Sequence, residues 1–242
     1  MTTCLVPDLM TSEGVEWLGR RIELFEDLLD PIFGEHQGTT LTLLLLPDSG
    51  HTGHVWWVGD SPAFRVFECS DGGVKAELII APHNASHEEE VNRLALSYGI
   101  HVSPTTGNFK SGEFGEDLIG ICRLFGNFTA KKEAPGLSAR VDTTQFEISE
   151  EDVALVVVSD GVTEKLTAQD VATTVRRSLK AAETFNDPAA AAKALVDLAL
   201  VRKSSDNCSA VVLPLKKYEK PALTFAERMA LRRRLAAALT DG

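Results

Sequence analysis

The chain has 242 residues, 44% of them hydrophobic and 24% charged, with 24 Lys and Arg against 35 Asp and Glu, for a formal charge of −11. That balance suits an ordinary globular protein with one sizeable core, and the acidic excess argues against gripping nucleic acid or an anionic membrane with the whole surface. The cysteines Cys4, Cys69, Cys122 and Cys208 lie far apart without C-x-x-C spacing, so reduced thiols in an intracellular compartment, cytoplasmic or organellar, are expected rather than zinc or a disulfide frame.

No basic leader followed by a long apolar stretch opens the sequence, and no window approaches about 20 continuous apolar residues, so neither secretion nor a membrane span is expected. Val15, Leu18, Ile22, Phe25, Leu28, Leu29 and Ile32 recur at three- and four-residue spacings, which predicts an amphipathic helix over 13–35. Residues 39–46 form a β-run whose consecutive leucines predict burial on both faces. A turn signal at Pro47-Asp48-Ser49-Gly50 leads into a strand over 54–58, so the two runs read as a hairpin. Strands over 63–68 and 74–80 follow. Ser86 and Glu89 have the spacing of a capping box before a helix to about Tyr98.

Residues 99–148 are polar, rich in glycine and without a clear period, the pattern of a long functional or disordered loop. Regular structure resumes with an apolar strand over 153–158, a helix over 168–185, a second helix opened by Pro188 and running to about Lys203, and a strand over 209–215. Thr224 and Glu227 cap a last helix to about Leu239. Strands with helices inserted at intervals predict an α+β fold, an antiparallel β-sandwich flanked by helices, over 1–216, with a helical extension over 217–242.

Three aspartates stand where predicted strands end: Asp60 in VGDS, Asp160 in VVVSDG and Asp206 in KSSDN. Carboxylates so placed can converge on one sheet edge, and hard cations such as Mg²⁺ or Mn²⁺ take oxygen ligands of that kind together with water. Each aspartate by itself is equally a turn residue. His51 and His54 lack a nearby third ligand and read as bland hairpin residues, while Trp56 and Trp57 must point to opposite faces of a strand.

Taken in order, the segments carry more. HVWWVGDSPAFRV at 54–66 resembles the strand, Gly-Asp-Ser, strand segment of the type 2C metal-dependent protein phosphatases. ICRLFGNFTAK at 121–131 resembles that family's Ser-Arg-Ala-Leu-Gly-Asp-Phe segment. EDVALVVVSDGVTEKL at 151–166 resembles its acidic residue, apolar strand and Ser-Asp-Gly, and ALVDLALVRKSSDNCSAVVL at 194–213 its closing helix, Asp-Asn and strand. Residues 37–46 are similar to its Gly-Ser-Thr strand, so the resemblance covers roughly 37–215. It implies a two-metal hydrolase of phosphoserine and phosphothreonine, with Asp160 and Asp206 as ligands of a core Mg²⁺ or Mn²⁺ and Asp60 in an additional, looser metal site.

The same resemblance implies donors that this sequence does not visibly carry. Asp8 could stand for the aspartate of the family's Asp-Gly-His-Gly-Gly turn, as a metal ligand, yet Leu9 and Met10 replace the glycine and histidine that follow it; the alternative is that Asp8 is a solvated turn residue before a helix. Asn127 replaces the aspartate of the Gly-Asp-Phe segment. The expectation is a catalytically impaired, pseudophosphatase-like domain lacking the first strands of the sandwich and acting as a binding or assembly module, with an active Mg²⁺/Mn²⁺-dependent phosphatase as the alternative. A sheet edge left bare near 39–46 and 153–158 would need a protein partner or a second copy to cover it. Arg228, Arg232, Arg233 and Arg234 on the last helix, with Phe225, Met229, Leu235 and Leu239, form either a solvated basic face or an anchor for an acidic partner or RNA.

Overall fold

Helix α1 (Ser12–Leu29) opens the described part of the chain, followed by β1 (Gly38–Thr39), β2 (Leu41–Leu45), β3 (Thr52–Val58), β4 (Ala63–Glu68), β5 (Val74–Leu78) and α2 (Glu88–Tyr98). The middle holds β6 (Ile100–Val102), β7 (Phe109–Ser111), β8 (Asp117–Ile119), β9 (Phe125–Gly126), α3 (Phe128–Glu133) and β10 (Asp142–Glu147). Then come β11 (Asp152–Val158), the short turn α4 (Asp160–Thr163), α5 (Ala168–Lys180), α6 (Pro188–Val201) and β12 (Ala210–Pro214). The computed structural model describes residues 8–29, 36–47, 51–111, 117–181 and 183–218; the basic C-terminal helix expected over 224–239 lies outside them.

Two antiparallel sheets face each other, one in the order β10-β3-β2 and one in the order β12-β11-β4-β5. Because strand side chains alternate, Val55 and Trp57 of β3 point inward and pack with Ala63, Val157, Leu44 and Phe146 in the layer between the sheets. On the outer face of the second sheet, Val156, Val158, Phe64 and Val212 meet Val171, Val175 and Leu179 of α5 and Leu195 and Ala199 of α6. On the outer face of the first sheet lies α1, whose Val15 carbonyl accepts a bond from Trp56 Nε1 (3.2 Å) and whose Phe25 packs edge-on against Phe125. The predicted α+β sandwich is therefore present.

Several expectations need correction. The capping box at Ser86 does not form: the Ser86 hydroxyl donates instead to Asn84 Oδ1 (2.6 Å), and His87 occupies the cap position without a side-chain bond. A reciprocal box occurs at Thr167 and Asp170, where α5 starts. The long polar stretch is not a loop. It folds into a small sheet of β6, β7 and β8, with Ile100, Phe109, Cys122 and Leu94 in a core of their own. Three-residue strands present one or two inward side chains each, too few for a visible alternation. Strand β2 is half-buried, with Leu43 exposed, rather than covered on both faces. Finally, β11 lies between β12 and β4 and is no edge at all; the edges of its sheet are β12 and β5. Among the described residues no helix is long and apolar enough to cross a membrane.

Candidate metal centre

Strands β11 and β12 pair antiparallel, with Val158 opposite Ala210, which puts the residues after β11 beside those before β12. The two segments are stitched together: Ser159 N donates to the Ser209 carbonyl (3.0 Å), and Ser159 Oγ donates to the Asn207 carbonyl and accepts from Ser209 N, both at 3.0 Å. Gly161 completes the join. A Cβ there would collide with the Asn207 carbonyl and stand 3.2 Å from Asp206 Cβ, so only glycine lets the two segments approach this closely. As a result Asp160, Gly161, Glu164, Ser205 and Asp206 line one open cavity of about 290 Å³.

Asp160 and Asp206 each spend one carboxylate oxygen on the next backbone amide, Gly161 N to Asp160 Oδ1 at 2.9 Å and Asn207 N to Asp206 Oδ1 at 2.7 Å. Glu164 was not singled out from the sequence, although it stands one helical turn after Asp160 and so shares its face. Its carboxylate is already occupied by Lys165 (2.7 Å), Ser204 Oγ (2.9 Å) and Ser205 N (2.9 Å). Lys165 first, then the Ser205 amide and Ser204 hydroxyl, hold its pKa down to about 2.

Asp60 reaches the same edge from β3. Gly59 adopts φ +101°, a conformation open to glycine, and turns the chain so that Asp60 follows the last buried residue of the strand. The turn is gripped by His83, which is fully buried and stacked on Trp57. His83 N donates to the Gly59 carbonyl (3.0 Å), and His83 Nδ1 accepts from Gly59 N (3.0 Å). The ring proton therefore sits on Nε2, which faces Asp142 Oδ2 at 3.1 Å. Burial lowers the His83 pKa, against the opposing pull of Asp142. Asn84 Nδ2 donates to Asp60 Oδ2 (3.2 Å). Burial pushes the Asp60 carboxyl above its ordinary value and the charge of Asp160 pushes it further, which the Asn84 bond only partly offsets.

The structure does not bring Asp8 to this edge. Helix α1 runs from the His54 end of β3 toward the opposite end, where Glu26 accepts from Gly126 N (3.0 Å). Asp8 stands at the start of that helix, beside the groove lined by Met10, Val15, Pro47 and His54, and its Oδ1 accepts from Met10 N (3.0 Å) in a local turn. Asn127 sits in the left-handed region at φ 50°, which asparagine tolerates, and its side chain caps α3 by accepting from Ala130 N.

The donors present suit one hard cation held largely through water: Asp160 and Asp206 each commit Oδ1 to a backbone amide, which leaves Oδ2 of each for a cation at the shared cavity. They do not suit a pair of bridged ions. Among the described residues no group of three His, Cys, Asp or Glu side chains is close enough to hold a metal.

Comparison with known proteins agrees with the architecture. A family model described as Protein phosphatase 2C matches residues 33–208. The probable protein phosphatase 2C 22 of Arabidopsis thaliana is 33% identical over 127 residues, 49% of this chain and 31% of that protein. The probable protein phosphatase 2C 75 of Oryza sativa subsp. japonica is 28% identical over 193 residues, 75% of this chain and 42% of that protein. The chain thus spans less than half the length of these curated relatives. A serine-threonine phosphatase 2C from Toxoplasma gondii superposes with TM-score 0.65 at 17% identity, over 87% of this chain and 72% of that one. A C. elegans sex determining protein superposes with TM-score 0.65 at 19% identity, over 84% and 46%.

Proposed function

The chain belongs to the protein phosphatase 2C family, and on that premise we propose that it has kept the fold and an acidic edge for one weakly held Mg²⁺ or Mn²⁺ but not hydrolytic competence, and works as a protein-binding module. One observation supports this most directly: Asp160 and Asp206 share a cavity while Asp8 is at the other end of the sheet and Glu164 is taken up by Lys165, Ser204 and Ser205. A water made nucleophilic between two ions needs donors for both. Loss of one ion's ligands removes several kcal/mol of transition-state stabilisation, at about 1.4 kcal/mol per tenfold in rate.

A second reading, an active Mg²⁺/Mn²⁺-dependent phosphoserine/phosphothreonine phosphatase, is favoured by Asp60. Its proton affinity is raised by burial first and by the charge of Asp160 second, and the latter is the sign of carboxylates crowded where a cation would relieve them. In that reading the remaining donors come from residues outside the described ones or from another polypeptide. Hydrolysis of p-nitrophenyl phosphate with Mn²⁺, by the full chain and by Asp160→Ala, separates the two. The binding-module reading expects the two proteins to give the same background; turnover that Asp160→Ala abolishes overturns it.

A further inference from the structure

The two facing sheets are unequal, with three strands against four. Strand β10 lies toward the β5 side, because Asp142 meets His83 just beyond β5 and the Glu147 carbonyl accepts from Arg65 of β4 (2.8 Å). Strand β2 therefore lies toward β11, with Thr42 Oγ1 donating to the Ser61 carbonyl (2.7 Å) on the way from β3 to β4. Nothing among the described residues lies beyond β2, and none of them forms a strand over the inward face of β12. Leu155 of β11 is 1% exposed, whereas its register partner Leu213 on β12 is 43% exposed; Val211, opposite Val157, is 65% exposed. The alternate residue Val212, facing α6, is 7% exposed. The result is a slot one strand wide. Its wall is the outer edge of β2, and its floor is Val211 and Leu213.

We propose that this slot takes an extended segment of another polypeptide, which adds to β2 as a fourth strand of the small sheet, lays two alternate apolar side chains on Val211 and Leu213, and carries a basic residue at one end. Backbone pairing with an open sheet edge and alternate side chains in pockets is the usual chemistry of strand addition. The basic residue follows from where the slot ends. Strand β12 begins four residues after Asp206, and Asp160 lies just past its partner β11, so the mouth of the slot is acidic and, among the described residues, no ion pair neutralises Asp60, Asp160 or Asp206.

A second copy cannot provide this strand from its own β2. Its β11 and β12 would travel with that strand as the facing layer and would fall on the space held by β11 and β12 here. The occupant is accordingly a single extended segment free of a sandwich of its own. This site deepens the binding-module reading and rests on it; strand binding without turnover, and turnover without strand binding, are separable results.

The test uses the full chain and a fluorescein-labelled peptide, acetyl-Thr-Val-Thr-Val-Thr-Arg-Arg-amide, read by anisotropy and by hydrogen exchange. Two control peptides carry adjacent valines or Glu-Glu in place of Arg-Arg. Saturable binding, slower exchange at 41–45, and affinity at least about tenfold lower for the Val211→Lys/Leu213→Lys double variant are expected. The Glu-Glu peptide should bind several-fold more weakly, with the gap closing in 1 M salt. Both substituted side chains are exposed, and circular dichroism checks the fold; if the variant unfolds, the peptide controls and exchange at 41–45 decide. Equal binding of the adjacent-valine peptide, unchanged exchange at 41–45, or binding that appears only after removal of residues 1–7 overturns the proposal, the last by assigning the slot to the chain's own N-terminal segment.

Discussion

Glu90 and Asp160 are both carboxylates at the margins of regular elements, and their surroundings are opposite. Glu90 is buried, 3% exposed, and is met by Arg123, by Arg93 Nη2 at 2.8 Å and by the Cys122 thiol at 3.1 Å; Arg123 goes on to Asp142 at 2.7 Å, and Asp142 to His83. Every charge in that chain has a counter-charge or a donor. At the other end of His83, Asp160 and Asp206 line a cavity and Asp60 feels the charge of Asp160, and no ion pair among the described residues involves the three. Filled charges of the first kind specify the fold, because each side chain fixes the next. Unfilled acids of the second kind leave attraction available for something outside the chain.

The largest test of that contrast removes the centre of the filled network. Burial by itself would raise the Glu90 pKa, but Arg123 and Arg93 hold it well below the carboxylate range. Glu90→Ala would strand two guanidinium groups, one of them almost wholly buried, and should cost about 3–5 kcal/mol in urea unfolding. Asp206→Ala, at the open edge, should cost less than about 0.5 kcal/mol. Comparable losses at the two sites would erase the distinction.

A second test is pH. The folded-state pKa of His83 is depressed below 6.5 by burial; despite burial, that of Glu90 is depressed below 4.5 by Arg123 and Arg93, and that of Asp142 below 3.8 by the hydrogen bonds from His83 and Arg123. In each case the unfolded chain binds protons first as pH falls, so stability is fully present above about pH 6.5 and declines below it, in one step for the imidazole and another for the carboxylates. The melting temperature should be flat from pH 8 to 7 and fall from there to pH 4. In His83→Gln, whose side chain can still accept from Gly59 N, the step between pH 6.5 and 5 should vanish while the lower one stays. A step that persists in that variant would place the proton elsewhere.

How far the sequence showed this contrast depends on periodicity. The runs 153–158 and 168–185 carry clear apolar patterns, and both became elements, the first with nearly those bounds and the second ending early, at Lys180. The edge aspartates were legible because Asp160 and Asp206 flank strands that turned out to be neighbours. The buried network was not: Glu90 stands among Glu88 and Glu89 in a run that looks solvated, and Arg123 sits in a stretch of three-residue strands where no alternation marks the inside. Direction along the sheet was also invisible. Nothing in the residues around Asp8 tells that α1 runs toward the Asp60 end rather than away from it, and that alone decides which end Asp8 occupies. Strand order, likewise, is a matter of pairing partners, so β11 read as a possible edge although it is central.

Asp60 joins the two regions, since Gly59 before it is held by His83 while its own carboxylate faces Asp160, and it allows the smallest and most direct test. Ionised Asp60 is penalised by burial and by its neighbour's charge, with Asn84 and a backbone amide hydrogen bond in partial compensation. A carboxyl whose folded pKa is raised gives stability that is present below its unfolded value near 3.8 and lost as pH rises through the folded value. At neutral pH that loss is complete, and replacing the acid by its neutral isostere should recover it. Asp60→Asn should therefore be more stable than the parent at pH 7, by on the order of 1 kcal/mol, and no more stable at pH 3, where the parent's own carboxyl is protonated. Mn²⁺ should narrow the difference at pH 7 by stabilising the parent more than the variant, because the ion relieves the repulsion that the amide has already removed. A variant that melts below the parent at pH 7 would mean that Asn84 and the Gly59 turn need the charge, and that the acidic edge is built like the buried network after all.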